Sequence, residues 1–250
     1  MTLNYLLKKK KLDMDVSYYN EIYKKNKPFR HVIIDNFLDE DHINFLIKKF
    51  PKPDHPIWLD WKKRAPNQFG KQGAGNSDNF SLLDDDLYFA LMEFNSSKFL
   101  SFLKRLTGID SLIPDPYFTG AGFHQILKGG ILDIHTDFNL YKRLNLYRRI
   151  NVIIYLNENW IPQYNGQLEL WTGDKDNGKC EMQIELIKNR FVVFNTNKTS
   201  FHGHPVEWNA PNEITRKSIA LYYYTSEKEV GERYDELTDF QNISSKDLPT

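Results

Sequence analysis

Cysteine is nearly missing from this sequence, Cys180 being the single copy among 250 residues. That excludes an internal disulfide and any zinc or iron–sulfur site built on several thiolates, and it points to a reducing compartment. No apolar run approaches the length of a membrane-spanning helix. Near the start, a very short apolar stretch precedes Lys8 to Lys11, the reverse of the order a secretory signal uses. The expectation is a soluble, cytoplasmic protein with no membrane partner. An excess of charge of either sign is missing too, 33 basic residues standing against 33 acidic ones. There is no global positive field of the kind that marks nucleic-acid binders, so none is expected as a partner. Nothing in the sequence fixes an oligomeric state.

Apolar residues, by contrast, make up 40% of the chain and aromatics 14%, enough to build a core in one large domain. Residues 1–27, rich in lysine and tyrosine, read as a solvated N-terminal tail with a short amphipathic helix around 16–23. A β-branched run at 29–38 reads as the first strand of a domain spanning 28–225. Asp39 suits an N-cap, and Ile43, Leu46, Ile47 and Phe50 recur at helical spacing until Pro51 stops them. His42, in that first turn, reads as a surface histidine. Residues 51–80 are interrupted by prolines and glycines and show no period, which marks a functional loop or a flap packed on the core. Trp58, Trp61, Lys62, Lys63 and Arg64 are its candidates for substrate contact. Two further helices, over 84–94 and from Ser96 or Ser97 to Gly108, complete a helical support at 39–108.

From 117 to 225 the pattern becomes β. Residues 149–156 form the clearest strand, with Asn151, Ile153 and Tyr155 on one face and Ile150, Val152 and Ile154 on the other. Short strands are expected at 122–127, around His135, and at 166–171, 183–187, 190–195 and 217–224. Many close-spaced strands predict a mainly β fold with supporting α-helices, a double-stranded β-helix or jelly roll. Residues 226–250 read as an exposed C-terminal appendage.

One stretch organises the rest. His135 and Asp137 are two apart, so on a strand both side chains take the same face. One imidazole and one carboxylate supply two thirds of the facial triad of non-haem iron(II) oxygenases, in which three coordination positions stay open. The third ligand must come from elsewhere, and His202 and His204 lie downstream. Arg216 and Ser218 follow, again at strand spacing.

Six stretches carry a family resemblance: HVIIDNFLDEDH, GFHQILKGGILDIHTDFN, RRINVIIYLNENW, GQLELW, FVVFNTNKTSFHGHPV and TRKSIALYYYT. From about residue 29 to 225 the chain resembles the 2-oxoglutarate and Fe(II)-dependent oxygenases, and within them the prolyl 4-hydroxylase-like branch. A lone His-x-Asp is a weak signal. With a histidine about 65 positions beyond Asp137, and Arg-x-Ser about 14 further on, it becomes specific.

The resemblance implies His135, Asp137 and His202 as iron ligands, with His204 near the substrate or behind the ligands. It implies Arg216 as the grip on the distal carboxylate of 2-oxoglutarate, through paired charge-assisted hydrogen bonds, and Ser218 as a further contact. Where many prolyl hydroxylases place a cosubstrate-binding tyrosine, this chain has Ile126. His124, Asn151 or Tyr155 is expected to take its place. The implied cofactors are Fe(II), 2-oxoglutarate and O2, with ascorbate in support. The implied reaction hydroxylates an unactivated C–H bond and releases succinate and CO2. A prolyl residue in a peptide or protein leads as substrate, with a small molecule such as a free amino acid or sugar derivative as the alternative. A non-catalytic cupin-like binding module is a further alternative, and one with no need of Arg216 and Ser218 together.

Overall fold

Residues 150–155 alternate as expected, and the sheet grows from them. A computed structural model describes residues 12–60, 66–74, 77–174, 176–241 and 243. In chain order the strands are β1 (His31–Ile34), β2 (Leu59–Asp60), β3 (Lys71–Gly73), β4 (Ile113–Pro114), β5 (Gly122–Ile126), β6 (Leu132–Thr136), β7 (Leu140–Tyr141), β8 (Leu146–Tyr155), β9 (Leu168–Thr172), β10 (Lys179–Ile184), β11 (Phe191–Asn195), β12 (Phe201–His204), β13 (Arg216–Thr225) and β14 (Asp239–Phe240). The helices are α1 (Ser17–Lys25), α2 (Glu40–Lys49), α3 (Asp85–Glu93) and α4 (Ser97–Thr107).

The larger sheet runs β1-β11-β8-β13-β5-β3-β2, with β4 on β13 and β7 on β8, and the smaller runs β10-β9-β12-β6-β14. All pairings are antiparallel. Two opposed antiparallel sheets with helices on one outer face are the double-stranded β-helix predicted from the strand spacing. Ile150, Val152 and Ile154 of β8 join Phe99, Phe102 and Leu103 of α4 in the main core. Tyr155 faces inward and meets Leu168, Leu170 and Phe194 in a second core between the sheets. The large sheet is thus covered on both faces, and the site opens where polar side chains replace apolar ones on its inner face.

Several expectations change. The N-terminal segment is no tail from residue 12 onward: Leu12, Val16 and Tyr23 are in the main core, because α1 turns its apolar side inward. His42 is buried rather than superficial. Within 51–80, β3 joins the large sheet against β5. Trp58 packs on the core, 5.6 Å from the Phe50 ring, and donates its Nε1–H to Lys52 O at 2.6 Å. Trp61, Lys62, Lys63 and Arg64 lie outside the described residues. The strand expected at 183–187 begins earlier, at Lys179, because its first half is an exposed edge and only its end at Ile184 enters the core.

The C-terminal segment is the largest correction. Its charge predicts an exposed appendage, yet β14 pairs with β6, the strand of His135. Gln241 N–H donates to Ile134 O at 2.8 Å and Ile243 N–H to Asp133 Oδ1 at 3.1 Å. Phe240 lays its ring 5.1 Å from that of His135. One aromatic and a few backbone hydrogen bonds suffice to fix a two-residue strand on an otherwise open edge.

Candidate active site

Sheet register sets the walls of a cavity between the two sheets. Lys71, Ile126 and Arg216 form one row across β3, β5 and β13, and Gly73, His124, Ser218 and Tyr155 form the next, reaching β8. On the small sheet His202 lies opposite His135. A register shift then pairs His204 with Leu132. Here Gly203 is required, since a Cβ there would lie 2.7 Å from the carbonyl oxygens of both Leu132 and Asp133. No turn parts the two histidines; the register shift separates them within the strand pair. Both line the cavity, together with His124, Asp137, Asn151, Arg216, Ser218 and Lys71.

The bulge decides between the histidines. His135, Asp137 and His202 present ligand atoms that all lie within 4.8 Å of one another, and they are the group of this kind among the described residues. His135 Nε2 is 3.6 Å from Asp137 Oδ1, and His202 Nε2 is 3.4 Å from Oδ2. Each imidazole is fixed from behind: His135 Nδ1–H donates to Asp133 O at 2.7 Å, and His202 Nδ1–H to Ser200 O at 2.8 Å. A carbonyl can only accept, so both tautomers are set with Nε2 bare. Two neutral imidazoles and a carboxylate on one side of a cavity are a donor set that suits Fe(II), with positions left open toward the cavity.

Asp137 is held from the opposite sheet. Its Oδ2 accepts from Arg148 Nη2 at 3.0 Å and from Asn151 Nδ2 at 2.7 Å. Asn151 Oδ1 in turn accepts from Arg148 Nε at 2.8 Å and from Thr196 Oγ1 at 3.2 Å. Arg148 is 1% exposed and stacks 3.4 Å from the centre of the Tyr222 ring. Burial alone would raise the Asp137 pKa, but Arg148 and the two histidines outweigh it and hold the carboxyl well below its usual range. Burial, with the neighbouring His202 adding to it, lowers His135, which keeps the imidazole neutral and available to a metal. Asn151, expected beside the cosubstrate, is held to Asp137.

Arg148 escaped the sequence reading. Strict alternation along β8 sets it with Ile150, away from Asn151. Opposite the adjacent pair Tyr223 and Tyr224, however, β8 places Ile150 and Arg148, so Arg149 is an extra residue. That bulge carries Arg148 onto the face of Asn151.

Arg216 is buried at the other side of the cavity, its Nε donating to Gly166 O at 2.8 Å and its Nη2 lying 3.5 Å from Tyr155 Oη. Gly166 has φ of +77°, and a Cβ there would strike Trp208 at 2.7 Å and press on Arg216 Cδ at 3.3 Å. Burial raises the Tyr155 pKa against the pull of Arg216, so the phenol stays protonated. His124 gives Nε2 to Gly120 O at 3.0 Å, and burial, with Lys71 adding, takes its pKa down to about 3. His204 is 2% exposed, and both its ring nitrogens lack a partner among the described residues. Lys71 was missed by the sequence reading because it sits on a three-residue strand with no periodic signal around it.

Residues 121–224 match the sequence profile of the 2OG-Fe(II) oxygenase superfamily. Over these residues the chain carries a 2OG-Fe(II) oxygenase domain. It is thus a 2-oxoglutarate-dependent dioxygenase whose cofactors are Fe(II) and 2-oxoglutarate. Among curated proteins no sequence matches it. The oxygenase shares its fold with a prolyl hydroxylase from Trichoplax adhaerens in complex with a peptide fragment of the hypoxia inducible factor oxygen degradation domain: 19% identity, 83% of this chain and 89% of that one covered, TM-score 0.52. An oxidoreductase of the 2OG-Fe(II) oxygenase family from Burkholderia pseudomallei is 11% identical over 86% of this chain and 93% of its own, with a TM-score of 0.51. HygX from Streptomyces hygroscopicus, solved with nickel and 2-oxoglutarate bound, is 11% identical over 85% of this chain and 92% of its own, with a TM-score of 0.50. Among the described residues of the oxygenase, no helix is long and apolar enough to cross a membrane.

Proposed function

We propose that the oxygenase hydroxylates an unactivated C–H bond of a prolyl residue in a peptide or protein. In the balanced reaction, 2-oxoglutarate loses CO2 and becomes succinate by taking one atom of O2, while the other atom enters the C–H bond as hydroxyl. A metal held by His135, Asp137 and His202 supplies the site at which O2 is activated. Arg216 takes the distal carboxylate of 2-oxoglutarate, with Ser218 on the same face and the Tyr155 hydroxyl behind the guanidinium. The observation that carries this reading is the buried Arg216, a cation with no anion beside it among the described residues, facing the triad across one cavity. Buried charges are ordinarily paired, so the site suits an arriving carboxylate. The fold shared with a prolyl hydroxylase that binds a peptide supports the prolyl assignment. A cytoplasmic setting fits the free Cys180.

A small acidic molecule, such as a free amino acid, is a second reading, favoured by the second cation Lys71 in the cavity. Two measurements test the function. Anaerobic addition of Fe(II) and 2-oxoglutarate is expected to give a weak visible charge-transfer band. In air, proline-containing peptides are expected to raise succinate release above the uncoupled rate and to gain one oxygen by mass. Absence of the band at saturating ligand overturns the cosubstrate assignment, whereas a band without stimulation by any prolyl peptide overturns the prolyl assignment alone.

A further inference from the structure

Among the described residues that line this cavity, one cation is left over after 2-oxoglutarate is accounted for. On the reading above, which this inference rests on, its distal carboxylate would be held by Arg216 and its keto-acid end would lie toward His135, Asp137 and His202, the residues that would hold the metal. Asp137 already has Arg148 at 3.0 Å. Lys71 lines the same cavity, is half-buried, and makes no hydrogen bond or ion pair among the described residues. It stands in the same row as Arg216 with one strand between them, so the two backbones are roughly 10 Å apart. One dicarboxylate bound to the metal and Arg216 therefore leaves the Lys71 ammonium without a counter-charge, and half-buried charges are ordinarily paired.

A second observation concerns the opposite wall. His204 is 2% exposed, lines this cavity, and has no partner on either ring nitrogen among the described residues. Buried polar atoms are nearly always satisfied, and two orphaned nitrogens aimed into a cavity mark the place of a polar ligand. Each of these ring nitrogens can donate or accept one hydrogen bond, according to the tautomer. Lys71, lowered by burial to about 8 with Asp137 opposing, remains protonated at neutral pH.

We propose that Lys71, with His204 on the facing wall, binds a carboxylate of the primary substrate and so makes the oxygenase selective for acidic substrates. The carboxylate is either the α-carboxylate of a free amino acid or an acidic side chain next to the target residue in a peptide. In both cases Lys71 fixes which carbon is presented to the metal, as a specificity-determining rather than a cosubstrate residue.

The test uses the full chain loaded anaerobically with Fe(II) and 2-oxoglutarate, so that binding is read without turnover. The probes are two carboxylate–carboxamide pairs: L-proline with L-prolinamide, and acetyl-Asp-Pro-amide with acetyl-Asn-Pro-amide. Calorimetry and the shift of the visible band report binding. The acid of at least one pair is expected to bind about tenfold to a hundredfold more tightly than its amide, the size of one charge-assisted hydrogen bond. Lys71→Met should erase that preference, Lys71→Arg should keep part of it, and both should leave 2-oxoglutarate affinity unchanged. The pair that shows the preference identifies the source of the carboxylate.

An acid–amide preference that survives Lys71→Met overturns the proposal, as does no preference in the parent or no binding of any probe at millimolar concentration. Weakening of 2-oxoglutarate by Lys71→Met to the extent seen with Arg216→Ala also overturns it, and makes Lys71 a cosubstrate residue. If Arg216→Ala itself leaves 2-oxoglutarate binding unchanged, what fails is the cosubstrate reading on which the proposal rests.

Discussion

The metal triad and the cation group face one cavity but are finished differently. Each triad histidine has its outer nitrogen tied to a carbonyl, and Asp137 has its Oδ2 tied to both Arg148 and Asn151. Among the described residues, Arg216 Nε is the atom of the cation group with a short hydrogen bond, while Lys71 and both nitrogens of His204 have none. The difference teaches where order precedes a ligand and where it waits for one. A metal needs its donors held in place beforehand, because three side chains must converge on a point. Carboxylates bring their own acceptors, and the donors that await them are left unmet.

The comparison breaks most sharply at the triad. Ala at His135, Asp137 or His202 is expected to abolish iron retention and turnover with the fold intact, whereas His204→Ala keeps the iron. Metal content after desalting and circular dichroism check both halves, and an iron-retaining His202→Ala beside an iron-free His204→Ala would exchange their roles. Next comes Arg216→Ala, which should bind iron normally and weaken 2-oxoglutarate by roughly thirtyfold to several thousandfold, the cost of a lost buried charged partner. Arg216→Lys should recover part of this, since a point charge cannot make the paired contact.

Arg148→Met probes the link between the groups. It leaves Asp137 without its buried counter-charge and should cost about 3–5 kcal/mol of stability in the metal-free protein, part of which bound Fe(II) restores. Denaturant unfolding with and without metal reads it, and equal losses in both states would show that Arg148 merely packs.

The gentlest lever is acid. His124, at about 3 in the fold against a free value near 6.5, is neutral in the folded chain where the unfolded chain takes up a proton. Its contribution is complete above about pH 6.5 and is lost as pH falls toward 3, at about 1.4 kcal/mol per pH unit. His204 and His135 act with the same sign. Asp137, whose pKa is depressed, adds its loss only once pH falls below the ordinary carboxylate range. Thermal melts of the metal-free protein from pH 7 to pH 4 should show a steady decline, and a flat profile down to pH 5 would contradict the burial of these rings.

How much of this was legible depended on length and period. The strand pairing behind β8 could be read because alternation over eight residues is hard to mimic, and His135 with Asp137 followed from one strand spacing. Arg216 followed from chemistry and order. Arg148 was hidden by a single bulge at Arg149, which inverts the parity that alternation relies on. Lys71 was hidden because three residues carry no period. That His202 and His204 both line the cavity was not legible, because a register shift between paired strands leaves no mark in the sequence.

The strand β14 has a consequence for the order in which the oxygenase is made. Every triad residue, and Arg216 after them, leaves the ribosome before residues 239–243 do. Until those arrive, β6 is an edge strand, with Ile134 O and the backbone at His135 open to any passing chain. A nascent or prematurely terminated copy therefore carries the complete set of reactive side chains on an adhesive edge, the arrangement most prone to intermolecular pairing. Closure by the last described residues makes the metal strand the final part of the barrel to be sealed.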